Sequence, residues 1–235
     1  MGEWVNELRM YFRKEGKIII IIDPHKGYPY PSNLGVDTGL IFTSPEGGEK
    51  ATKYVLGNGV DAVVGTTKFY LDSDGSINEK LMGEFRDLAE ENQCRMLLSP
   101  NYSIGMFHFV KIVKDAAKRL NRHDYDIGIV ELHHRKKVDV SGSGIKIASA
   151  LSEICGKRVN YGDVDGGIRE DEINLSSVRV GHIPGKHQVI LDGKYDTITL
   201  THEVRDPKVF ALGAVEAAYL LREKPPGVYT LEHLM

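Results

Sequence analysis

Cysteine is scarce in this chain of 235 residues. Cys94 and Cys155 stand alone in apolar-periodic stretches, so a disulfide framework is excluded and reduced core thiols are expected. Nine histidines fall in no His-Glu-x-x-His or Cys/His spacing, and no resident metal is expected. Charge of one sign is not in excess. Thirty basic against 33 acidic residues give a net charge of -3, which leaves no electrostatic footprint for nucleic acid or an anionic membrane. Long apolar runs are missing too. The five isoleucines Ile18 to Ile22 are the most apolar run, far short of the about 20 residues that span a bilayer. The opening Met-Gly-Glu-Trp-Val-Asn-Glu is no secretory leader. Internal repeats and low-complexity segments are absent. A soluble cytoplasmic protein is expected, large enough for one big domain or two small ones.

What is present is an alternation of strands and helices. Apolar residues at Trp4, Val5, Leu8, Tyr11 and Phe12 predict a helix over Glu3–Glu15. A buried strand over Lys17–Ile22 follows and ends at Asp23-Pro24. Gly39–Thr43 reads as a strand, and Ser44-Pro45 opens a helix as cap and first-turn proline. Asp61–Val64 is a strand ending in Gly65-Thr66-Thr67, and Ser76-Ile77-Asn78-Glu79 reads as a capping box for a helix to about Asn92. Arg95–Leu98 leads into Ser99-Pro100-Asn101-Tyr102-Ser103 and a helix to about Leu120. This alternation predicts a parallel sheet flanked by helices. Beyond it, a helix over Gly144–Ile154 and a Gly/Asp-rich loop over Asn160–Glu172 are expected. Segments Ser177–Val180, Gln188–Leu191 and Tyr195–Thr201 alternate like antiparallel strands, with a turn at Asp192-Gly193 and a last helix over Pro207–Arg222.

The chemistry concentrates between Glu131 and Ser143. The run Ile127–Val130 reads as a buried strand that delivers Glu131, His133, His134, Arg135, Lys136 and Lys137 to its end, followed by Asp139 and Ser141-Gly142-Ser143. A basic run is often only a solvated face. A strand end, a small-residue loop and a helix start are instead the usual layout of a ligand site in α/β proteins. On a continuing strand His133 and Lys137 would lie roughly 13 Å apart, at about 3.3 Å per residue. If both act on one small molecule, the chain must leave the extended form soon after His133, and Val138–Gly142 suits that turn. His133 and His134 point to opposite faces of a strand, so they form a poor metal pair.

With Gly65-Thr66-Thr67, Ser99 to Ser103, the histidine cluster, Arg179-Val180-Gly181 to Gly185-Lys186-His187, and Phe210 to Ala214 in that order, the chain resembles the 4-hydroxy-tetrahydrodipicolinate reductase (dihydrodipicolinate reductase) family. The resemblance implies an α/β protein: a Rossmann-type cofactor domain over residues 1–102 and 207–235, and an α+β substrate and tetramerisation domain over 103–206. It implies reduction of a cyclic dicarboxylate of diaminopimelate and lysine biosynthesis with NADH or NADPH, by a homotetramer. His133 would be the general acid/base and Lys137 the proton donor. His134 would bind one substrate carboxylate, and Gly142 with Ser143 the other. Asp23 would meet the adenosine ribose, although acidic residues also close strands for no such reason. Gly65, Thr66 and Thr67, with Ser99, Pro100, Asn101 and Tyr102, would line the nicotinamide half of the cofactor site.

Departures accompany the matches. The family opens with a strand and a Gly-x-x-Gly-x-x-Gly loop, and Met1-Gly2 aligns with the end of that loop. Cofactor binding by this chain is therefore expected to be weak, and a cofactor-crippled relative that keeps ligand binding and oligomerisation is the alternative reading. Lys68 stands where the family has Gly, and the family's Pro-Ser-Gly-Thr appears as Ser141-Gly142-Ser143. Pro207 replaces an Arg, flanked by Arg205 and Lys208.

Overall fold

The computed structural model describes residues 35–72, 76–162 and 167–235. The expected helix over Glu3–Glu15, the isoleucine strand and Asp23 lie outside these residues. In chain order the elements begin with β1 (Thr38–Ile41), α1 (Pro45–Gly57), β2 (Asp61–Val64), α2 (Glu79–Glu91), β3 (Arg95–Leu98) and α3 (Ile104–Leu120). They continue with β4 (Asp126–His133), α4 (Gly142–Cys155), β5 (Arg158–Tyr161), β6 (Glu172–Arg179), β7 (Lys186–Asp192) and β8 (Thr197–Glu203). The last are α5 (Lys208–Leu221), β9 (Gly227–Thr230) and the single turn α6 (Leu231–Leu234). Two compact units result. One comprises the described residues up to Ser103 with Lys208–Met235, the other Ile104–Pro207. Among the described residues no helix is long and apolar enough to cross a membrane.

The first unit is built on a parallel sheet in the order β1-β2-β3-β9. All four residues of β2 are buried, as expected for a parallel strand covered on both faces. Its Asp61 carboxylate is satisfied by the Arg95 backbone N–H at 2.8 Å and the Arg95 guanidinium at 3.3 Å. Arg95 Nε in turn donates to the Lys224 carbonyl, tying the start of β3 to the segment ahead of β9. Ser44 caps α1 by accepting from the Gly47 N–H, with Pro45 in the first turn, as the sequence predicts. The core packs Leu56, Phe85 and Met96, all fully buried, between α1, α2 and the sheet.

Three expectations need correction here. Asn78, not Ser76, caps α2, its side chain accepting from the Leu81 N–H at 2.9 Å. Ile77 instead bridges to Leu71, and the Ser76 carbonyl accepts from the Asp72 N–H, so the backbone around Ser76 is committed to a β-pairing and the helix starts later. The tail Gly227–Thr230, given no element by its sequence pattern, is the strand β9. Within the loop expected over Asn160–Glu172, Asn160 and Tyr161 belong to β5.

The second unit is a five-stranded mixed sheet in the order β5-β6-β4-β7-β8. The β4–β7 and β7–β8 pairs are antiparallel, but β6 runs parallel to both β4 and β5. The segment Ser177–Val180, expected to be antiparallel, is thus corrected. Alternation identifies a strand but not its direction, and here β4, β5 and β6 all run the same way while only β7 reverses. Helices α3 and α4 cover one face, burying Ile129, Ile147, Leu151, Ile173, Leu175 and Leu191. Gly156, left-handed at φ 67°, terminates α4.

Candidate active site

In the first unit, the C-terminal ends of β1, β2 and β3 open onto a cavity of about 430 Å³, within the roughly 300–1,000 Å³ of small-molecule sites. Gly65, Thr66, Thr67, Pro100, Asn101 and Tyr102 all line it, together with Phe42, Thr43, Pro45, Lys68 and Phe210. Thr66 clamps the strand ends: its hydroxyl accepts from the Thr43 N–H and donates to the Thr43 carbonyl, both at 3.0 Å. Gly65 lies against the Phe42 ring, and a methyl group on its Cα would overlap that ring. Tyr102 is buried, its ring edge-on to Phe42 at 5.6 Å, and its hydroxyl donates toward the Val64 and Leu97 carbonyls. Burial pushes its phenol well above the ordinary value. Ser99 does not line the cavity. Its hydroxyl donates to the Asn101 carbonyl at 2.7 Å and shapes the loop from behind. Phe42, Pro100 and Phe210 give the cavity apolar wall, and Thr43, Thr66, Thr67 and Asn101 give it polar groups.

In the second unit, β4 alternates buried and half-buried positions, which sends Ile127, Ile129, Glu131 and His133 to the helix-covered face. The chain leaves the strand at His133. The Lys137 N–H donates to the His134 carbonyl at 3.0 Å, closing a turn, and Ser141 then caps α4 by accepting from the Gly144 N–H at 2.9 Å. The departure from extended geometry demanded by the His133–Lys137 separation is therefore present. Gly142 and Ser143 form the first turn of α4 rather than a loop. His134 and Lys137 are half-buried, and Arg135 and Lys136 are exposed. Among the described residues the Lys137 ammonium has no carboxylate partner.

Beneath these groups lies a buried ionic cluster. Glu131 is fully buried and accepts from the Ser141 N–H, the Ser141 hydroxyl, the Ser177 hydroxyl at 2.9 Å and Arg179 Nη2 at 2.8 Å. His187 Nε2 lies 2.8 Å from the Ser141 hydroxyl and 3.7 Å from Glu131 Oε2. His133 Nδ1 lies 3.8 Å from Glu131 Oε1, its ring edge-on to His187 at 5.2 Å. The β-register explains the assembly: Glu131 pairs with Ser177 on one side and His187 on the other, and His187 pairs with His202. Arg179 also donates to the carbonyls of Lys137 and Asp139, pinning the turn after β4. Burial works to raise the Glu131 carboxyl, but the nearby His187 ring and hydrogen bonds from Ser141, Arg179 and Ser177 overcome it and hold the group well below the usual carboxylate range. Burial pushes the His133 imidazole down to about 4, opposed by Glu131 and assisted by His187, Lys137 and Arg179. Three donor atoms of Glu131, His133 and His187 fall within 4.8 Å of one another. The guanidinium and serine donors already occupy the carboxylate oxygens, so the group is a hydrogen-bonded ion pair and does not suit a metal ion.

Sequence reasoning gave no role to Glu131, Ser141, Ser177, Phe42 or Phe210. Glu131 was detectable, standing two residues before His133 and hence on the same face. The others required knowing which strands are neighbours.

The model of the family "Dihydrodipicolinate reductase, C-terminus" matches residues 105–235. The 4-hydroxy-tetrahydrodipicolinate reductase of Methanosarcina mazei is 36% identical over 76% of this chain, which spans 65% of that relative's length. The enzyme of the same name from Archaeoglobus fulgidus is 36% identical over 87% of this chain and 77% of its own. The solved structure of dipicolinate-bound dihydrodipicolinate reductase from Paenisporosarcina sp. TG-14 shares the fold, with a TM-score of 0.68 at 21% identity, covering 93% of this chain and 89% of that one. The Rossmann-type sheet of the first unit, the mixed sheet of the second and these matches agree, and the chain belongs to the dihydrodipicolinate reductase family.

Proposed function

We propose that this protein is an NADH- or NADPH-dependent 4-hydroxy-tetrahydrodipicolinate reductase, forming tetrahydrodipicolinate for diaminopimelate and lysine biosynthesis. One observation carries the reading: β4 ends at His133 and turns at once into the N-terminus of α4, so that His134, Lys137, Gly142 and Ser143 all belong to one short strand–turn–helix junction. A cyclic dicarboxylate needs two anion grips. His134 takes one carboxylate, and the first-turn amides of Gly142 and Ser143, at the positive end of α4, take the other. Lys137 supplies a mobile cation and the proton that neutralises charge developing on the reduced substrate. His133, buried and neutral at rest, takes up or returns a proton when the arriving dianion raises its affinity for one. Phe42, Gly65, Pro100 and Phe210 would hold and orient the ring of a reduced nicotinamide, which when bound would supply the hydride.

We further propose a cytoplasmic homotetramer assembled through the second unit. The face of its sheet opposite the buried row carries Val130, Leu132 and Ile190 half-buried and Val178 exposed, an apolar surface suited to cover by a second sheet. The test is oxidation of NADH and NADPH with 4-hydroxy-tetrahydrodipicolinate as acceptor, alongside calorimetric titration with dipicolinate. Substrate-dependent oxidation and saturable binding are expected. Neither cofactor oxidised and no dicarboxylate bound would overturn the reading.

A further inference from the structure

The carboxylate of Glu131 touches both halves of the proposed machinery without reaching the substrate positions. It lies 3.8 Å from His133 Nδ1, and through the Ser141 N–H and hydroxyl it holds the residue that caps α4. The first turn of α4 carries Gly142 and Ser143. A Cβ at Gly144 would come within 2.6 Å of Glu131 Oε2, so carboxylate and helix are in close contact there. His133 Nδ1 is buried and has no hydrogen-bond partner of its own, which leaves Glu131 as the nearest anion able to stabilise a proton on that ring. The charged and titratable groups facing His133 are few. Glu131 approaches from β4 itself, His187 from β7, Arg179 from β6 and Lys137 from the following turn; the α4 cap contributes only the neutral Ser141. Three of these four oppose a positive charge on His133.

We propose that Glu131 is a positioning residue with two outputs: it is the counter-charge through which His133 holds a proton, and it fixes the α4 N-terminus that grips the substrate carboxylate. This rests on the reductase reading above. The design is economical because one ionised group sets both the proton affinity of the acid/base and the place of the anion grip. A neutral residue of the same shape would keep the second output in part and lose the first.

The discriminating measurement is the ring titration of His133 by NMR in the unliganded full chain labelled at histidine. The resonance is assigned from its loss in His133→Gln. The ring shift at about pH 4.5 reports the protonated fraction. That fraction is about a quarter for a midpoint near 4 and only a few per cent for one a unit lower, while a midpoint near the ordinary value of about 6.5 shows as near-complete protonation. In Glu131→Gln the midpoint should fall by about one unit or more, the size of shift an opposite charge within about 4–6 Å produces. Glu131→Asp, which retracts the charge by one methylene, should fall by less. A purely structural role predicts the other sign, because loosening the site hydrates His133 and raises its midpoint toward about 6.5. An unchanged or raised midpoint in Glu131→Gln overturns the proposal. Should that variant fail to fold, Glu131→Asp carries the test, with a smaller fall expected and an unchanged or raised midpoint again decisive. The titration needs no substrate. A chain without reductase activity that shows the fall would sink the proposed function and leave standing only the counter-charge role of Glu131 toward His133.

Discussion

Ser141 is bound to Glu131 twice, by its backbone N–H at 3.1 Å and by its hydroxyl, and the same hydroxyl accepts from the Gly144 N–H as the cap of α4. One side chain therefore closes a helix start and satisfies a buried charge. Ser141→Ala removes both functions. Losing the cap costs about 1 kcal/mol, and losing a hydrogen bond to a charged acceptor costs about 1.5–3 kcal/mol. A fall of about 2–4 kcal/mol in the stability of the second unit is expected from chemical denaturation. The Michaelis constant for substrate should rise with it, since the α4 first turn is no longer held. A loss under about 0.5 kcal/mol, the range of a plain surface substitution, would mean that the cap is dispensable.

Acid should destabilise the second unit before it touches the first, and the sign follows from His133. Its folded-state value of about 4 lies below the ordinary 6.5, so in the window between them the unfolded chain binds the proton and the folded one does not. Stability is present above pH 6.5 and drains as pH falls toward 4. From pH 7 to pH 5 this one group accounts for a loss of about 2 kcal/mol. His202, lowered by burial and by His187, adds in the same direction. Glu131 acts lower down, its depressed folded value making its stabilisation vanish only as the pH drops below the ordinary carboxyl range. Urea midpoints at the two pH values should differ clearly in the parent chain and less in His133→Gln. Equal pH sensitivity in the two would show that His133 is not buried neutral.

How far the sequence disclosed this molecule varies with the kind of contact involved. Local chemistry was readable: Ser44-Pro45 starts α1, Gly65-Thr66-Thr67 sits at a strand end on the cavity, and a turn follows His133, as expected if His133 and Lys137 act on one small molecule. Contacts that depend on strand neighbours were not. Nothing in the alternation of Ser177–Val180 tells that β6 lies parallel beside β4, and the Glu131–His187 pair exists only because β7 is the other neighbour. The four residues of β9 follow two prolines and carry too short a pattern to declare a strand, which forms because β3 offers an open edge. At α2 the cap expected at Ser76 is instead Asn78, because the backbone of Ile77 is held in a bridge to Leu71.

The close contact of Gly65 with Phe42 offers a third test. A methyl at residue 65 overlaps the Phe42 ring, and moving that ring disturbs its edge-on contact with Tyr102. Overpacking of this kind costs about 1–3 kcal/mol of stability in the first unit, and the displaced ring alters the cavity wall, so Gly65→Ala should also weaken nicotinamide cofactor binding. Fluorescence titration with NADH and NADPH reads the change. Adding Phe42→Leu should return part of the lost fold stability, since the two sites are in contact and their effects are not additive. Additive losses would show that the two side chains do not meet.

The kinetic roles proposed for His133, Lys137 and His134 separate by where each one acts. His133→Gln keeps a polar group of similar reach in the buried site but removes the exchangeable proton, and turnover should fall by about 10²-fold or more, the usual contribution of a general acid/base. Cofactor affinity should barely change, because the cavity proposed to hold it is lined by residues of the other unit. Lys137→Ala removes the proposed proton donor and the only ammonium in the turn following β4 that is half-buried rather than exposed; its turnover should fall comparably. His134→Ala should mainly raise the Michaelis constant, since a carboxylate contact present in both ground and transition states contributes uniform binding. Steady-state kinetics of the three variants, with dipicolinate affinity measured beside them, distinguishes the roles. Near-normal turnover in His133→Gln would remove that residue from the chemistry. A loss of turnover without a change in the Michaelis constant in His134→Ala would transfer the proton work to its neighbour.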